Sequence, residues 1–146
     1  MYKKALLPVS GAKQGQRAAI ALQKARAICD GEFVILHVTE PVPQTVGGEA
    51  REELVRDHAA KGLIAMAPII EMLENDGLNF HTRVEPGTPV ETIVKVANEE
   101  GADIVVMCTD GRDDLGDVVF GSVTERVLRN LHVDLLAVRN PEDAKD

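Results

Sequence analysis

The chain has 146 residues, 45% hydrophobic and 27% charged, which is enough to bury the core of one soluble domain without disulfides. A formal net charge of −8 argues against binding to nucleic acid or to an anionic membrane, and the apolar runs are too short to span a bilayer. Two cysteines, Cys29 and Cys108, cannot form a disulfide framework, and no signal-peptide pattern is visible. These features predict reduced thiols in a cytoplasmic protein.

The first half of the chain alternates apolar segments of strand length with amphipathic segments of helix length. Ala5–Val9 predicts a strand, and Gln14–Cys29 predicts a helix that stops at the turn signal Asp30-Gly31. Phe33–Val38 is a continuous β-branched run, which is typical of a parallel strand covered on both faces.

A longer helix pattern follows over Glu49–Asn75, and Pro68 inside it predicts a kink or a late helix start. Phe80–Val84 alternates polar with apolar residues and is predicted to be an edge strand. The next helix has clear start signals, which predict Thr88 as its N-cap and Glu91 as its capping-box partner.

The last third of the chain adds a strand at Ile104–Cys108, a helix from Gly121-Ser122 to Asn130 and a strand at Val133–Val138. Strand and helix therefore alternate four times before a final strand. This order predicts a single α/β domain over residues 1–146, with an open, five-stranded, mostly parallel sheet and helices on both faces. Ligands of such sheets bind outside the carboxyl ends of the strands, where the strand order reverses.

Common catalytic and ligand-binding patterns are absent from the sequence. The turn Ser10–Gly15 after the first strand has neither the glycine spacing of a dinucleotide-binding turn nor the acidic residues of a receiver domain. No P-loop is present, and Cys108 has no obvious base, so we assign no catalytic residue. A slow ATPase is retained only as an alternative.

The segment between the fourth strand and the last helix carries the clearest site signal. Gly121 allows the backbone to approach a ligand closely, and the free amides of Ser122 and Val123 at a helix start favour an anion. Nine residues separate Gly111 from Gly121, and Gly111 could bring a second stretch of backbone to the same phosphate.

On these residues the sequence resembles the universal stress protein family. Its nucleotide-binding members carry Gly-x-x-Gly, nine residues and then Gly-Ser/Thr, which Gly111 and Gly121-Ser122 match. The resemblance covers essentially the whole chain. It implies an adenine-nucleotide alpha-hydrolase-like fold and a role in stress response or signalling. Leu7-Pro8-Val9, Leu36-His37-Val38 and Gly87-Thr88-Pro89 also look like this family.

The resemblance further implies a site for ATP or AMP at the carboxyl ends of the first and fourth strands. Phosphates would bind the backbone near the start of the last helix, and the nucleoside would bind the ends of the first two strands. The residues implied are Val9, Ser10, Gly11, Val38, Gly111, Arg112, Gly121, Ser122 and Val123.

Two departures from the family pattern support an alternative, a dimeric stress protein that binds no nucleotide and acts through protein–protein contacts. Cys108 stands where the first glycine of the motif belongs, and Ser10 stands where nucleotide binders usually have aspartate. The loop is also acidic, so a triphosphate would be repelled unless Mg²⁺ bound one or two of its carboxylates. These carboxylates are Asp110, Asp113, Asp114 and Asp117.

The last strand predicts a homodimer. An apolar strand at the edge of an open sheet invites pairing with another chain. Members of the family are similar here, since they dimerise through this strand in antiparallel fashion. The predicted interface residues are Val133, Leu135, Ala137 and Val138.

Overall fold

A computed structural model describes residues 1–9, 15–109 and 122–139. Five strands and four helices alternate along the chain, as the sequence predicts. They are β1 (Tyr2–Val9), α1 (Gly15–Ile28), β2 (Cys29–Thr39), α2 (Gly48–Asn75), β3 (Phe80–Pro86), α3 (Pro89–Glu100), β4 (Ile104–Thr109), α4 (Ser122–Asn130) and β5 (Asp134–Arg139).

The strands form one parallel sheet in the order β3-β2-β1-β4-β5, which confirms the predicted open sheet. Helices α1 and α2 cover one face, and α3 and α4 cover the other. The continuous run Phe33–Leu36 in β2 is at most 1% exposed, as a strand between two helical layers requires. The predicted edge strand β3 does lie at one edge, and β5 lies at the other.

Helix α1 ends earlier than the sequence predicts. Cys29 already belongs to β2, and Asp30-Gly31 is part of that strand rather than a turn after the helix. The register of β1 and β2 is irregular here: Tyr2 pairs with Cys29 and Lys4 pairs with Glu32. Two residues of β2 therefore stand opposite one residue of β1, which is a β-bulge.

Two predictions about the other helices are corrected. Of the two alternatives predicted for Pro68, the late helix start is wrong, because α2 continues from Gly48 through Pro68 to Asn75, and the kink stays a prediction. Pro68 is exposed, so the carbonyl group that its ring leaves without a partner can face water. Thr88 does precede α3, but its side chain makes no capping hydrogen bond, so the expected capping box with Glu91 is wrong. At the other end, Gly101 closes α3 in the left-handed conformation.

The edge strand β3 is covered by charge. The Arg83 guanidinium contacts Glu85, Glu99 (2.9 Å) and Glu100 (3.1 Å), and His81 Nε2 lies 2.9 Å from the same Glu100 carboxylate. Hydrogen bonds to Glu85 and Glu99 raise the pKa of Arg83, so the guanidinium stays charged. Such charged networks discourage another chain from pairing with an edge strand.

Candidate functional site

The strand order reverses between β1 and β4. From β1 the chain moves outward through β2 to β3, then returns across the sheet to β4 and continues to β5. The carboxyl ends of β1 and β4 are therefore the position at which open α/β sheets bind ligands. Val9 ends β1 and Thr109 ends β4.

Pro8 explains why the hydrogen-bonded pairing of β1 with β4 ends before the carboxyl ends of the two strands. The backbone amide of Asp103 donates to the Lys4 carbonyl (3.0 Å), so the even-numbered residues of β1 direct their backbone groups towards β4. The next rungs would involve Leu6 and Pro8, and proline has no N–H to donate. Pairing between the two strands accordingly ends at Leu6 and Val105.

The neighbouring strand pairs stay closed to their carboxyl ends. β1 pairs with β2 as far as Val9 and His37, and β4 pairs with β5 as far as Thr109 and Arg139. Within the described residues, pairing thus ends short of the carboxyl ends only between β1 and β4, where the strand order reverses.

His37 fixes the end of β1. Its Nδ1 lies 2.9 Å from the Val9 carbonyl oxygen, which can only accept, so Nδ1 is the protonated nitrogen. Gly62 of α2 makes room for the imidazole, because a Cβ there would lie 3.0 Å from His37 Cδ2 and 3.1 Å from the Val84 methyl groups. His37 is therefore a packed histidine whose Nδ1 has a hydrogen-bond partner.

Of the residues predicted to contact a ligand at the strand ends, Val9 can do so only through its backbone. Its side chain is 2% exposed in the core on the α1/α2 face, so a ligand could reach only its main chain. Val38 is half-buried near the end of β2 and packs on the α3/α4 face together with Met107.

Cys108 occupies the position of the missing motif glycine without covering the start of α4. Its half-buried side chain packs against the core on the α1/α2 face, opposite the face that carries α4. Cys29 is buried, and neither cysteine is in a disulfide. The side chain of Cys108 therefore does not obstruct the amides at the start of α4.

The first turn of α4 is partly exposed. Val123 is 36% exposed, while the next residue, Thr124, is buried against the protein. The Glu125 carboxylate accepts from Arg129 Nη2 at 2.7 Å, one turn further along the helix. A helix start carries a partial positive charge and unpaired amides, so this turn is suited to an anion.

Several predicted residues cannot be compared with the structure. Ser10, Gly11, Gly111, Arg112 and Gly121 lie outside the described residues, and for Ser122 only the backbone is described. The acidic loop lies outside them as well. Within residues 1–9, 15–109 and 122–139, no group of three His, Cys, Asp or Glu residues is arranged to hold a metal ion.

None of the helices in the described part of the chain is both long and apolar enough to cross a bilayer. With its parallel sheet, the chain is a doubly wound α/β protein with a candidate ligand position at the reversal of strand order, where β1–β4 pairing ends early. A sequence model of the universal stress protein family matches residues 1–139, and the chain belongs to that family.

Individual relatives agree with this assignment. Universal stress protein MJ0531 of Methanocaldococcus jannaschii is 31% identical over 144 residues, which are 97% of this chain and 85% of that protein. The solved structure of MJ0577 has a TM-score of 0.78 and 31% identity, covering 96% of this chain and 97% of that one. An Arabidopsis thaliana family member solved with AMP bound has a TM-score of 0.70 at 14% identity, covering 99% and 95%.

Proposed function

We propose that this universal stress protein binds an adenine nucleotide, ATP or AMP, at the carboxyl ends of β1 and β4 and acts in stress response or signalling. The observation that carries the proposal is the end of β1–β4 pairing at Leu6 and Val105, at the edge of the sheet where open α/β proteins bind ligands. The AMP-bound Arabidopsis thaliana family member supports the choice of ligand. We also propose a cytoplasmic location, where thiols such as Cys29 stay reduced.

Two sets of backbone groups would divide the ligand between them. Amides of Gly111, Gly121, Ser122 and Val123 would hold the phosphates, because helix starts and glycine-rich backbone bind anions. Ser10, Gly11 and the main chain of Val9 and Val38 would hold the nucleoside, and Arg112 would reach a phosphate. If ATP is the ligand, Mg²⁺ on the acidic loop would offset the repulsion between its carboxylates and the triphosphate.

Nucleotide binding predicts a thermal and chemical stabilisation. At a free ligand concentration 100 times the dissociation constant, AMP or ATP with Mg²⁺ is expected to add about 2.7 kcal/mol to the free energy of unfolding. Calorimetric titration and urea unfolding of the purified chain measure affinity and stabilisation together. Comparing AMP, ATP and ATP with Mg²⁺ identifies the ligand and the need for the metal ion.

A pair of glycine variants makes this test specific. Gly121→Asp would put a carboxylate where a phosphate is proposed and is expected to abolish the stabilisation. Gly47→Asp makes the same charge change at a position where a Cβ meets nothing within 4 Å, and it is expected to bind normally. If millimolar nucleotide leaves the free energy of unfolding of the wild-type chain unchanged, this proposal is wrong. The alternative then holds, a stress protein that acts only through protein–protein contacts.

We also propose that two copies pair through β5 in antiparallel fashion. The other sheet edge, β3, carries the Arg83 and His81 charge network, whereas Leu135 and Ala137 on β5 are apolar and half-buried. Val138 is 6% exposed within its own core, so it would contribute backbone rather than side chain. Val133 stands one residue before the strand and would lie at the rim of the interface.

The β5 interface predicts a change of mass in solution. Ala137→Lys would place two like charges close to the shared edge and is expected to halve the sedimenting mass at micromolar concentration. Gln23→Lys on α1 makes the same charge change on an exposed helix side and is expected to leave the mass unchanged. If the wild-type chain and Ala137→Lys have the same sedimenting mass, the proposed β5 interface is wrong.

A further inference from the structure

Helix α2 exposes a large apolar surface on the side that faces away from the sheet. Its inner side is buried through Gly62, Met66, Ile69 and Leu73. On the outer side, Leu63 is 54% exposed and Ile64 is 73% exposed, between the exposed alanines 60 and 67. Single exposed leucines are ordinary, but a continuous apolar strip on one helix face marks a contact surface.

A charged residue closes the strip at each end. Arg56 stands one helical turn before Ala60, and Glu71 stands one turn after Ala67, both on the same outer side. Neither Arg56 nor Glu71 has an ion pair with any residue that the structure describes. By comparison, Asp57 on the same helix is already paired with Lys61 at 3.1 Å. The α2 stripe is thus Arg56, Ala60, Leu63, Ile64, Ala67 and Glu71.

The α2 stripe is symmetric about its own centre. The steps between its members are four, three, one, three and four residues, which read the same in both directions. The centre lies between Leu63 and Ile64, and the residues at equal distances from it are complementary in chemistry. Alanine matches alanine, leucine matches isoleucine, and arginine matches glutamate.

We propose that the α2 stripe binds a second copy of itself, with the two α2 helices antiparallel about a two-fold axis between Leu63 and Ile64. Leu63 then packs on the second copy's Ile64, and Ala60 packs on the second copy's Ala67. Arg56 of each copy meets the second copy's Glu71, so both unpaired charges gain a partner in the same arrangement. A two-fold contact has to be self-complementary in this sense.

Charge and size favour a second copy over other occupants. The stripe holds one cation and one anion, so it has no net charge to attract an anionic membrane or a nucleic acid. The alanines allow the helix axes to approach closely. The stripe is about 22 Å long, and such a contact buries less than the roughly 1,200–2,000 Å² of a stable interface. We therefore expect a weak, concentration-dependent association.

The α2 stripe does not overlap the proposed β5 interface. Helix α2 packs on β2 and β3, whereas β5 lies at the opposite edge of the sheet. A chain that uses both surfaces forms a dimer through β5 and assembles further through α2. The α2 contact is independent of nucleotide binding, so its test needs no ligand.

Charge exchange across the axis provides the main test. Arg56→Glu and Glu71→Arg each turn two attractive contacts into two repulsive ones, and each is expected to weaken the association about tenfold or more. The double variant Arg56→Glu/Glu71→Arg restores both pairs and is expected to return to within about twofold of wild type. Sedimentation equilibrium over a range of concentrations measures these constants, in the Ala137→Lys background and in the wild-type background.

Lys24→Glu provides the matched control, because it makes the same charge change as Arg56→Glu on an exposed position of α1. It is expected to associate like wild type. The proposal is overturned if Arg56→Glu and Lys24→Glu behave alike, or if the double variant is as weak as the single ones. The proposal is also overturned if the purified wild-type chain shows no association that Arg56→Glu removes. This holds even if the α2 stripe captures a different protein.

Cross-linking tests the position of the axis. The thiol of an Ile64→Cys variant would lie beside its counterpart in the second copy, and a short bismaleimide is expected to link the two chains. A Lys24→Cys variant places a thiol on α1, away from the axis, and is expected to remain unlinked. The antiparallel arrangement is contradicted if the two variants are linked to the same extent. It is also contradicted if Ile64→Cys stays unlinked at concentrations at which the chains associate.

Discussion

Replacing Asp103 by alanine is expected to lower the free energy of unfolding by about 3 kcal/mol, because its carboxylate joins two strands of the sheet. Oδ2 accepts from the amide of Lys3 at 2.8 Å, and Oδ1 accepts from the amide of Lys4 at 2.9 Å. The Asp103 amide donates in turn to the Lys4 carbonyl at 3.0 Å. Hydrogen bonds to a charged group are worth about 1.5–3 kcal/mol each, and alanine leaves two strand amides without these acceptors. Urea unfolding measures the loss.

The hydrogen bonds of the Asp103 carboxylate to the Lys3 and Lys4 amides form a bridge between the strands. Two further variants distinguish the loss of this bridge from a general effect of charge. Asp103→Asn keeps one carbonyl oxygen as an acceptor and is expected to lose about half as much stability. Asp57→Ala removes an exposed carboxylate that pairs with Lys61 on its own helix, and it is expected to cost less than about 0.5 kcal/mol. Equal losses for Asp57→Ala and Asp103→Ala would contradict the bridge.

The bridge also predicts how stability depends on pH. Burial by itself would raise the pKa of Asp103, but the amides of Lys3 and Lys4 outweigh burial and lower it below the ordinary value of 3.8. The unfolded chain therefore binds the proton more readily than the folded protein does. The stabilisation is complete above the unfolded pKa and is lost as the pH falls through the folded one. The difference between wild type and Asp103→Ala should shrink as the pH falls below about 4.

The strands and helices could be predicted from the sequence because the burial pattern of each element is visible in a few consecutive residues. Phe33–Leu36 reads as a strand covered on both faces, and it is one. Asp103 carries no such local signal, since it stands two residues after the helix-ending Gly101, in a turn where an aspartate is common. Its partners, Lys3 and Lys4, are about 100 residues away, and only the strand order places β1 beside β4.

The candidate site divides in the same way. Gly111, Gly121 and Ser122 were proposed from spacing and resemblance, because a phosphate-binding backbone would leave glycines at fixed distances, and they stay predictions. The early end of β1–β4 pairing could not be predicted from the sequence, since the effect of Pro8 depends on which neighbouring strand its missing N–H would face. The match between His37 and Gly62 was missed for the same reason, because it joins a strand to a helix further along the chain.

Gly31→Ala is expected to cost about 3 kcal/mol, although Gly31 was interpreted from the sequence as a helix stop. A Cβ at this position would lie 1.9 Å from the Lys3 carbonyl oxygen and 2.8 Å from the Lys3 carbonyl carbon. Both are backbone atoms of the neighbouring strand, so the clash cannot be relieved by a side-chain rotation. The strand has to shift, and overpacking of this kind costs about 1–3 kcal/mol or more.

Gly47→Ala provides the comparison, because a Cβ there meets nothing within 4 Å. It precedes α2, and exchanging glycine for alanine at an N-cap is expected to cost less than about 1 kcal/mol. Urea unfolding ranks the two variants, and amide exchange at Lys3 and Lys4 reports whether the bulge has moved. If Gly31→Ala is as stable as Gly47→Ala and the exchange is unchanged, β1 and β2 do not approach as closely at the bulge as their register requires. The loss of Asp103 should then also cost less, because it binds the same two residues of β1.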